Sequence, residues 1–138
     1  AVQRAVVEHA ELGVFLLDEG GEYAVLYAAS SEGGKRMLER GHRLAVGRQG
    51  IVGNAAYFNR PRIATNVGED AVFFNNPDLP ATRSEAALPL SVRGRVIGVL
   101  DLQSIETHAF PPETIELLQA MADQIALAIQ NAGAGCQS

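Results

Sequence analysis

The sequence predicts an α+β domain, an antiparallel sheet with helices on one face and connecting segments over the other. Three observations carry that expectation. Two pairs of β-rich runs flank glycine-containing turn signals, short helical patterns separate them, and one long amphipathic helix closes the chain. With 138 residues the chain has the size of a single domain, expected over 1–132 and followed by a flexible tail, 133–138.

Residues 1–10 place Val2, Ala5, Val6 and His9 at helical spacing, which predicts an N-terminal helix. The runs LGVFLL and YAVLYAAS follow, separated by Asp18-Glu19-Gly20-Gly21-Glu22, and read as a hairpin because the glycines tolerate positive φ. GGKRMLERG predicts a short helix between Gly34 and Gly41 with Met37 and Leu38 inward, and HRLAVG a strand. In GRQGIVGNAAYFNRPRIATN a helix over Ile51–Phe58 ends at Asn59 and Pro61, and Arg62–Thr65 forms a short strand. Prolines at 77 and 80 exclude a long element between Asn66 and Thr82. That segment reads as a functional loop with one helical turn near Asp70–Phe74.

The second hairpin, SEAALPLSVRGRVIGVLDLQS from Ser84 to Ser104, poses a question of register, since a slip of one residue exchanges the faces of a strand. A three-residue loop, Val92-Arg93-Gly94, with Gly94 left-handed, makes one face wholly apolar: Ala86, Leu88, Leu90, Val96, Gly98, Leu100 and Leu102. The other face then holds Glu85, Ala87, Pro89, Val99, Asp101 and Gln103, with Glu85 directly opposite Asp101. Finally AFPPETIELLQAMADQIALAIQNA predicts a helix over 111–132, with Pro112 in its first turn, acids near its start and Gly133 as its stop. Ile115, Leu118, Ala122, Ile125, Ile129 and Ala132 form one stripe, and Leu117, Met121 and Ala128 a neighbouring one. One stripe covers the sheet; the other is left for the N-terminal helix, a second subunit, or both.

Composition narrows the function. Apolar residues make up 47% of the chain, charged residues 20%, and the net charge is −5. No apolar run reaches the length of a membrane span. The arginines are scattered, so neither nucleic acid nor direct membrane contact is expected. The absence of a signal-peptide pattern and the single cysteine, Cys136, fit a cytoplasmic setting and rule out an internal disulfide. The chain begins AVQRAVVEHA without methionine, which points to a piece of a longer polypeptide or a processed chain, the excised domain being favoured.

Three groups of residues merit chemical attention. Glu85 and Asp101 on one face are mutually destabilising unless a cation, a donor or a proton intervenes, and Arg83 two residues earlier is an internal candidate for the cation. Phe73 and Phe74, beside Asn75 and Asn76 in the long loop, either cap a ligand or anchor the loop. The glycines of GRQGIVG match neither phosphate-loop pattern and are read as letting a helix approach the sheet closely. Ser84 and Ser91 lack a histidine partner, and the three histidines lack metal-ligand spacing, so neither hydrolase chemistry nor a metal site is expected.

The blocks VGRQGIVGNAAYFNRPRIATNV, SEAALPLSVRGRVIGVLDLQS and FPPETIELLQAMADQIALAIQNA, in that order, resemble the GAF domain family over residues 3–132. These are small-molecule-sensing modules of bacterial sensor kinases, cyclases, phosphodiesterases and phytochromes. The resemblance implies a GAF-like (profilin-like) sheet of five or six antiparallel strands. It also implies terminal helices on one face, joined in parallel dimers, and a ligand pocket on the other face under a loop-rich lid. The ligand stays open. Cyclic-nucleotide-binding members carry an Asn-Lys-Phe-Asp-Glu-type motif that is missing here. Bilin-binding members need a lid cysteine and haem-binding members a pocket histidine, and none of His9, His42 and His108 is expected in the lid or on the mixed face. The methionine-sulfoxide reductase branch uses cysteines near its pocket. None of these ligands or activities is expected.

The combined expectation is a non-catalytic sensory domain of a bacterial signalling protein, with a sensor histidine kinase as its parent. The cofactor is unknown. A small molecule is placed against Phe73, Phe74, Asn76, Arg83, Glu85, Ala87, Val99, Asp101 and Gln103. Dimerisation and signalling are assigned to Val2, Val6, Ile115, Leu118, Ala122, Ile125 and Ile129. The alternatives are a ligand-free structural dimerisation module, or the GAF domain of a cyclase, phosphodiesterase or transcription regulator.

Overall fold

The computed structural model describes residues 10–70 and 72–137. Six strands form one antiparallel sheet: β1 (Glu11–Leu17), β2 (Tyr23–Ala29), β3 (Arg43–Ala45), β4 (Arg62–Ala64), β5 (Ser84–Val92) and β6 (Arg95–Ser104), in the order β3-β2-β1-β6-β5-β4. Among the described residues three α-helices accompany them: α1 (Glu32–Glu39), α2 (Gly50–Phe58) and α3 (Pro112–Gln137). No helix among the described residues is long and apolar enough to cross a membrane. The N-terminal helix expected at 1–10, with Val2 and Val6, falls on residues 1–9, outside the described residues.

Two apolar clusters lie on opposite faces of the sheet, as alternation along the strands requires. Ala86, Leu88, Leu90, Leu100 and Leu102 meet Leu118, Ala122 and Ala126 of α3 in one. Ala87 and Val99 join Phe15, Leu26, Met37, Leu44, Ile51 and Val52 in the other, beneath α1 and α2. The wholly apolar face of the β5–β6 hairpin therefore meets the terminal helix, and the mixed face looks at the short helices and the long loop.

The register has a different origin from the one expected. The loop is the two residues Arg93-Gly94, both left-handed (φ 54° and 77°), a type I′ geometry whose twist matches that of the strands. The extra residue sits inside β6: Leu90 pairs with Gly98 but Ser91 with Val96, so Ile97 is a bulge. Beyond the bulge the pairing is displaced by two residues from the expected one, which preserves the faces but changes the partners. Glu85 lies opposite Gln103 and Asp101 opposite Ala87, so the two carboxylates are diagonal neighbours. On the turn side of the bulge the faces exchange, and Val96 packs with the Phe15 cluster rather than with Leu88 and Leu90.

Two further expectations shift. The helical turn in the long loop lies at Val67–Glu69, ahead of Asp70, because the Asn66 side chain accepts from the Gly68 N–H and caps it there. Gly133 does not stop α3, which continues to Gln137. This glycine is not in the left-handed conformation that ends a helix.

Candidate functional site

Ser31 starts α1 by accepting from the Gly34 N–H at 3.0 Å, a standard N-cap. Met37 then points into the core at 4% exposure. In α2, Gly50, Ile51, Val52, Gly53, Ala55 and Ala56 are all buried. A Cβ on Gly53 would lie 2.5 Å from the Ala45 carbonyl oxygen, so the glycine serves close approach, as the sequence suggested. The helix ends at Asn59, left-handed at φ 52°. Between these helices and the sheet, the loop from Asn66 to Thr82 closes over the mixed face.

That loop is fastened at several points. Asp70 pairs with Arg62 of β4 at 2.9 Å and accepts from the Val72 N–H at 2.9 Å. Phe73 packs on the Phe15 cluster. Phe74 stays partly exposed and stacks on His42, ring centroids 5.9 Å apart. Asn76 is buried, its Oδ1 accepting from the Asp78 N–H at 2.9 Å and its Nδ2 reaching Met37 Sδ at 3.5 Å. Asp78 pairs with Arg36 at 3.4 Å and also with Arg40, and these guanidinium groups hold its carboxyl below the usual range. Phe73 thus anchors the lid, and Phe74 rests against His42.

Beneath it, Glu85 and Asp101 are each 4% exposed and Gln103 is 8% exposed. The Gln103 amide nitrogen lies 2.9 Å from Asp101 Oδ2 and 3.4 Å from Glu85 Oε2, while its oxygen accepts from Thr82 Oγ1 at 2.7 Å. Asp101 Oδ1 is buried with no hydrogen-bond partner among the described residues. Burial pushes Glu85 well above its ordinary 4.5, and the charge of Asp101 beside it adds to the rise. Burial also raises Asp101, against hydrogen bonds from Glu85 and Gln103 that hold it back. Desolvation dominates both shifts.

Two cavities of about 20 Å³ each touch this group. Asp101 and Gln103 line both. Glu11, Leu26, Met37 and Leu79 enclose the first, and Phe15, His42, Phe74, Asn76 and Glu85 the second. Each has room for about one water molecule. Among the described residues no group of three or more His, Cys, Asp or Glu side chains is arranged to hold a metal ion.

The structure thus brings together Phe74, Asn76, Glu85, Asp101 and Gln103 around the cavities, with Phe73, Ala87 and Val99 in the adjoining apolar cluster. Arg83 does not join them: among the described residues it forms no ion pair with either carboxylate, and its main-chain N–H donates to the Ser104 carbonyl. Two site residues had no sequence signal pointing to them. His42 lies between α1 and β3, yet it lines the second cavity and meets the Phe15 ring edge-on at 6.1 Å. The expectation that no histidine reaches the pocket is therefore corrected. Glu11 enters because β1 pairs with β6, opposite Gln103. Burial and the charge of Arg40 lower the His42 pKa from 6.5, partly offset by Asp78. Its NMR titration midpoint is expected below 6.5 and should rise in Arg40→Gln; a midpoint unmoved by that change would contradict the electrostatic contribution.

The signalling stripe also needs correction. Leu118 and Ala122 are 1% and 0% exposed against the sheet, and Ile115, Ile125 and Ile129 pack on the same cluster. Leu118 and Ala122 are thus occupied within the domain, while Ile115, Ile125 and Ile129 are half-buried. The exposed apolar residues of α3 are instead Leu117, Met121 and Leu127.

A family model described as GAF domain matches residues 1–130. The chain belongs to the GAF domain family. No curated protein matches the sequence. Among solved structures, this GAF domain is similar to that of a phosphoenolpyruvate-protein phosphotransferase from Coxiella burnetii, at TM-score 0.82 and 19% identity, covering 99% of this chain and 87% of the other. It is also similar to a type II free methionine-R-sulfoxide reductase from Thermoplasma acidophilum, at TM-score 0.75 and 21% identity, covering 94% and 85%. The corresponding reductase of Neisseria meningitidis, solved with its substrate, gives TM-score 0.67 and 23% identity over 88% and 71%. At these identities the GAF likeness is one of fold.

Proposed function

We propose that this GAF domain is a non-catalytic sensory module that binds a small molecule between the β5–β6 hairpin and the 66–82 lid. The observation that carries the reading is the buried Glu85–Asp101–Gln103 group. Among the described residues Asp101 Oδ1 has no hydrogen-bond donor, and both cavities adjoin that carboxylate. A buried carboxylate in this state favours a ligand that brings a cation or a hydrogen-bond donor, since satisfying it recovers the desolvation cost. Phe74, Asn76 and His42 supply the rest of a pocket with apolar walls and few polar groups.

A ligand larger than water requires the lid to move, and the ties to α1 through Asp78 make α1 part of that movement. The module's natural place is the input of a larger cytoplasmic signalling protein. A bacterial sensor histidine kinase is the parent favoured by the sequence, with dimerisation of the terminal helices carrying the output through the exposed Leu117–Met121 side of α3. Ligand control requires different affinities for two helix arrangements. Reductase chemistry is set aside because the one cysteine, Cys136, belongs to the final turn of α3 and not to the lid.

The small size of the cavities favours a second reading, a structural module that never opens. Native mass spectrometry of the purified chain separates the two. The sensory reading expects a retained small molecule, lost or weakened about 10- to 150-fold in Asp101→Asn, the range for a hydrogen bond to a charged group. No retained species, together with no thermal shift from a panel of small amine-bearing metabolites, would leave only the structural module.

A further inference from the structure

We propose that Glu85 and Asp101 form a proton-binding site that latches the lid: one shared proton holds the 66–82 loop closed, and its loss opens the loop. The geometry carries the inference. One amide nitrogen, that of Gln103, lies within hydrogen-bonding reach of both carboxyl groups at 2.9 and 3.4 Å. Both carboxyl groups are almost wholly buried, and among the described residues neither has a cationic partner. Two negative charges so placed cannot both persist out of water.

The charged and titratable groups around them do not relieve the second charge. Asp70, from the start of the lid, is negative and its field adds to the rise at Glu85, although Arg62 of β4 pairs with it. Glu11 of β1 lies beside Gln103 and is a further acid. On the α1 side Asp78 already engages Arg36 and Arg40. His42 shares the cavity, but burial and the charge of Arg40 lower its pKa from 6.5, which disfavours its cationic form as a partner for the carboxylates. Helix α2 contributes no charged residue at all. Water admitted by an open lid is what remains to solvate a second carboxylate. Thr82 is positioned to transmit the change, since its hydroxyl holds the oxygen of the same Gln103 amide and lies at the end of the lid.

The sign of the effect follows from the raised Glu85. The closed form binds the proton more tightly than the open form, in which Glu85 returns to about 4.5. Closure is therefore fully favoured below that pH and is lost as pH rises toward the closed-form value, the open fraction growing about tenfold per pH unit over that interval. The proton site needs no ligand, so its failure and that of the sensory reading are distinct results.

The test uses the whole chain and the proton itself as probe. Infrared spectra across a pH titration are expected to show one protonated-carboxyl band persisting well above pH 4.5, absent in Glu85→Gln. Amide exchange of residues 72–82 should accelerate about tenfold per pH unit beyond its intrinsic base catalysis from pH 4.5 up to the pH at which that band disappears, and should follow intrinsic catalysis alone in the variant. Asp101→Asn serves if Glu85→Gln does not fold: with the neighbouring charge removed, the band must titrate at lower pH than in the wild type. A wild-type chain without the band above pH 4.5, or a lid whose exchange follows intrinsic catalysis throughout, overturns the proposal.

Discussion

Leu118→Ala is expected to destabilise the domain by roughly 2–5 kcal/mol, whereas Met121→Ala, less than one turn away, is expected to change stability by no more than about 0.5 kcal/mol. Leu118 is 1% exposed within a cluster formed with Leu88, Leu90, Leu100 and Leu102. Truncation removes its apolar burial and leaves a cavity between α3 and strands that have little freedom to collapse into it. The helix is also held by Gln119, whose amide donates to the Pro89 carbonyl at 3.3 Å, and this contact keeps the cavity from closing by a simple slide. Met121 is 40% exposed and, among the described residues, joins neither apolar cluster. Urea unfolding of the two variants under identical conditions measures the contrast. Equal losses would mean that α3 is rotated from the orientation described, with the Leu117–Met121 side against the sheet.

Gly98→Ala is expected to cost about 3 kcal/mol, the upper end of the usual range for overpacking. A methyl group at this position would collide with the Phe15 carbonyl oxygen and come within 3.2 Å of Leu16 Cδ2. The first of these is a backbone atom in a central strand, paired on one side with β2 and on the other with β6, so it cannot step aside without loosening two ladders. Gly98 also adjoins the Ile97 bulge, which sets the register that places Glu85, Asp101 and Gln103 on one face. Loss of thermal stability should therefore accompany a change in the Glu85 titration. A variant with wild-type stability would show that β1 and β6 are farther apart at this point than the structure has them. Gly94→Ala, where a Cβ meets nothing within 4 Å but φ is 77°, would incur backbone strain alone and a smaller loss.

The sheet and its two faces were legible in the sequence because strand alternation is local: Ala86, Leu88, Leu90, Leu100 and Leu102 sort themselves from Glu85, Asp101 and Gln103 once the parity of the hairpin is known. Parity survived an incorrect loop because the true two-residue turn and the Ile97 bulge together displace the pairing by two residues. The identity of the cross-strand partners did not survive, since a turn and a bulge produce similar patterns along the chain and differ only in where the extra residue goes. Composition likewise marked 66–82 as a loop, but the placement of its helical turn rested on one side-chain cap, at Asn66.

By itself, then, the sequence determined the α+β class, the apolar and mixed faces of the hairpin, the close-packed glycine helix and the three polar residues under the lid. The tertiary structure alone decided that His42 and Glu11 approach those residues, that Arg83 does not neutralise them, and that the Leu118 stripe of α3 is spent on the sheet while Leu117 and Met121 face outward. The division follows from range. Periodicity and turn chemistry act between residues a few positions apart, whereas the surroundings of a buried charge are set by strands and loops that meet across the fold, such as Glu11 beside Gln103 and Thr82 against the same amide.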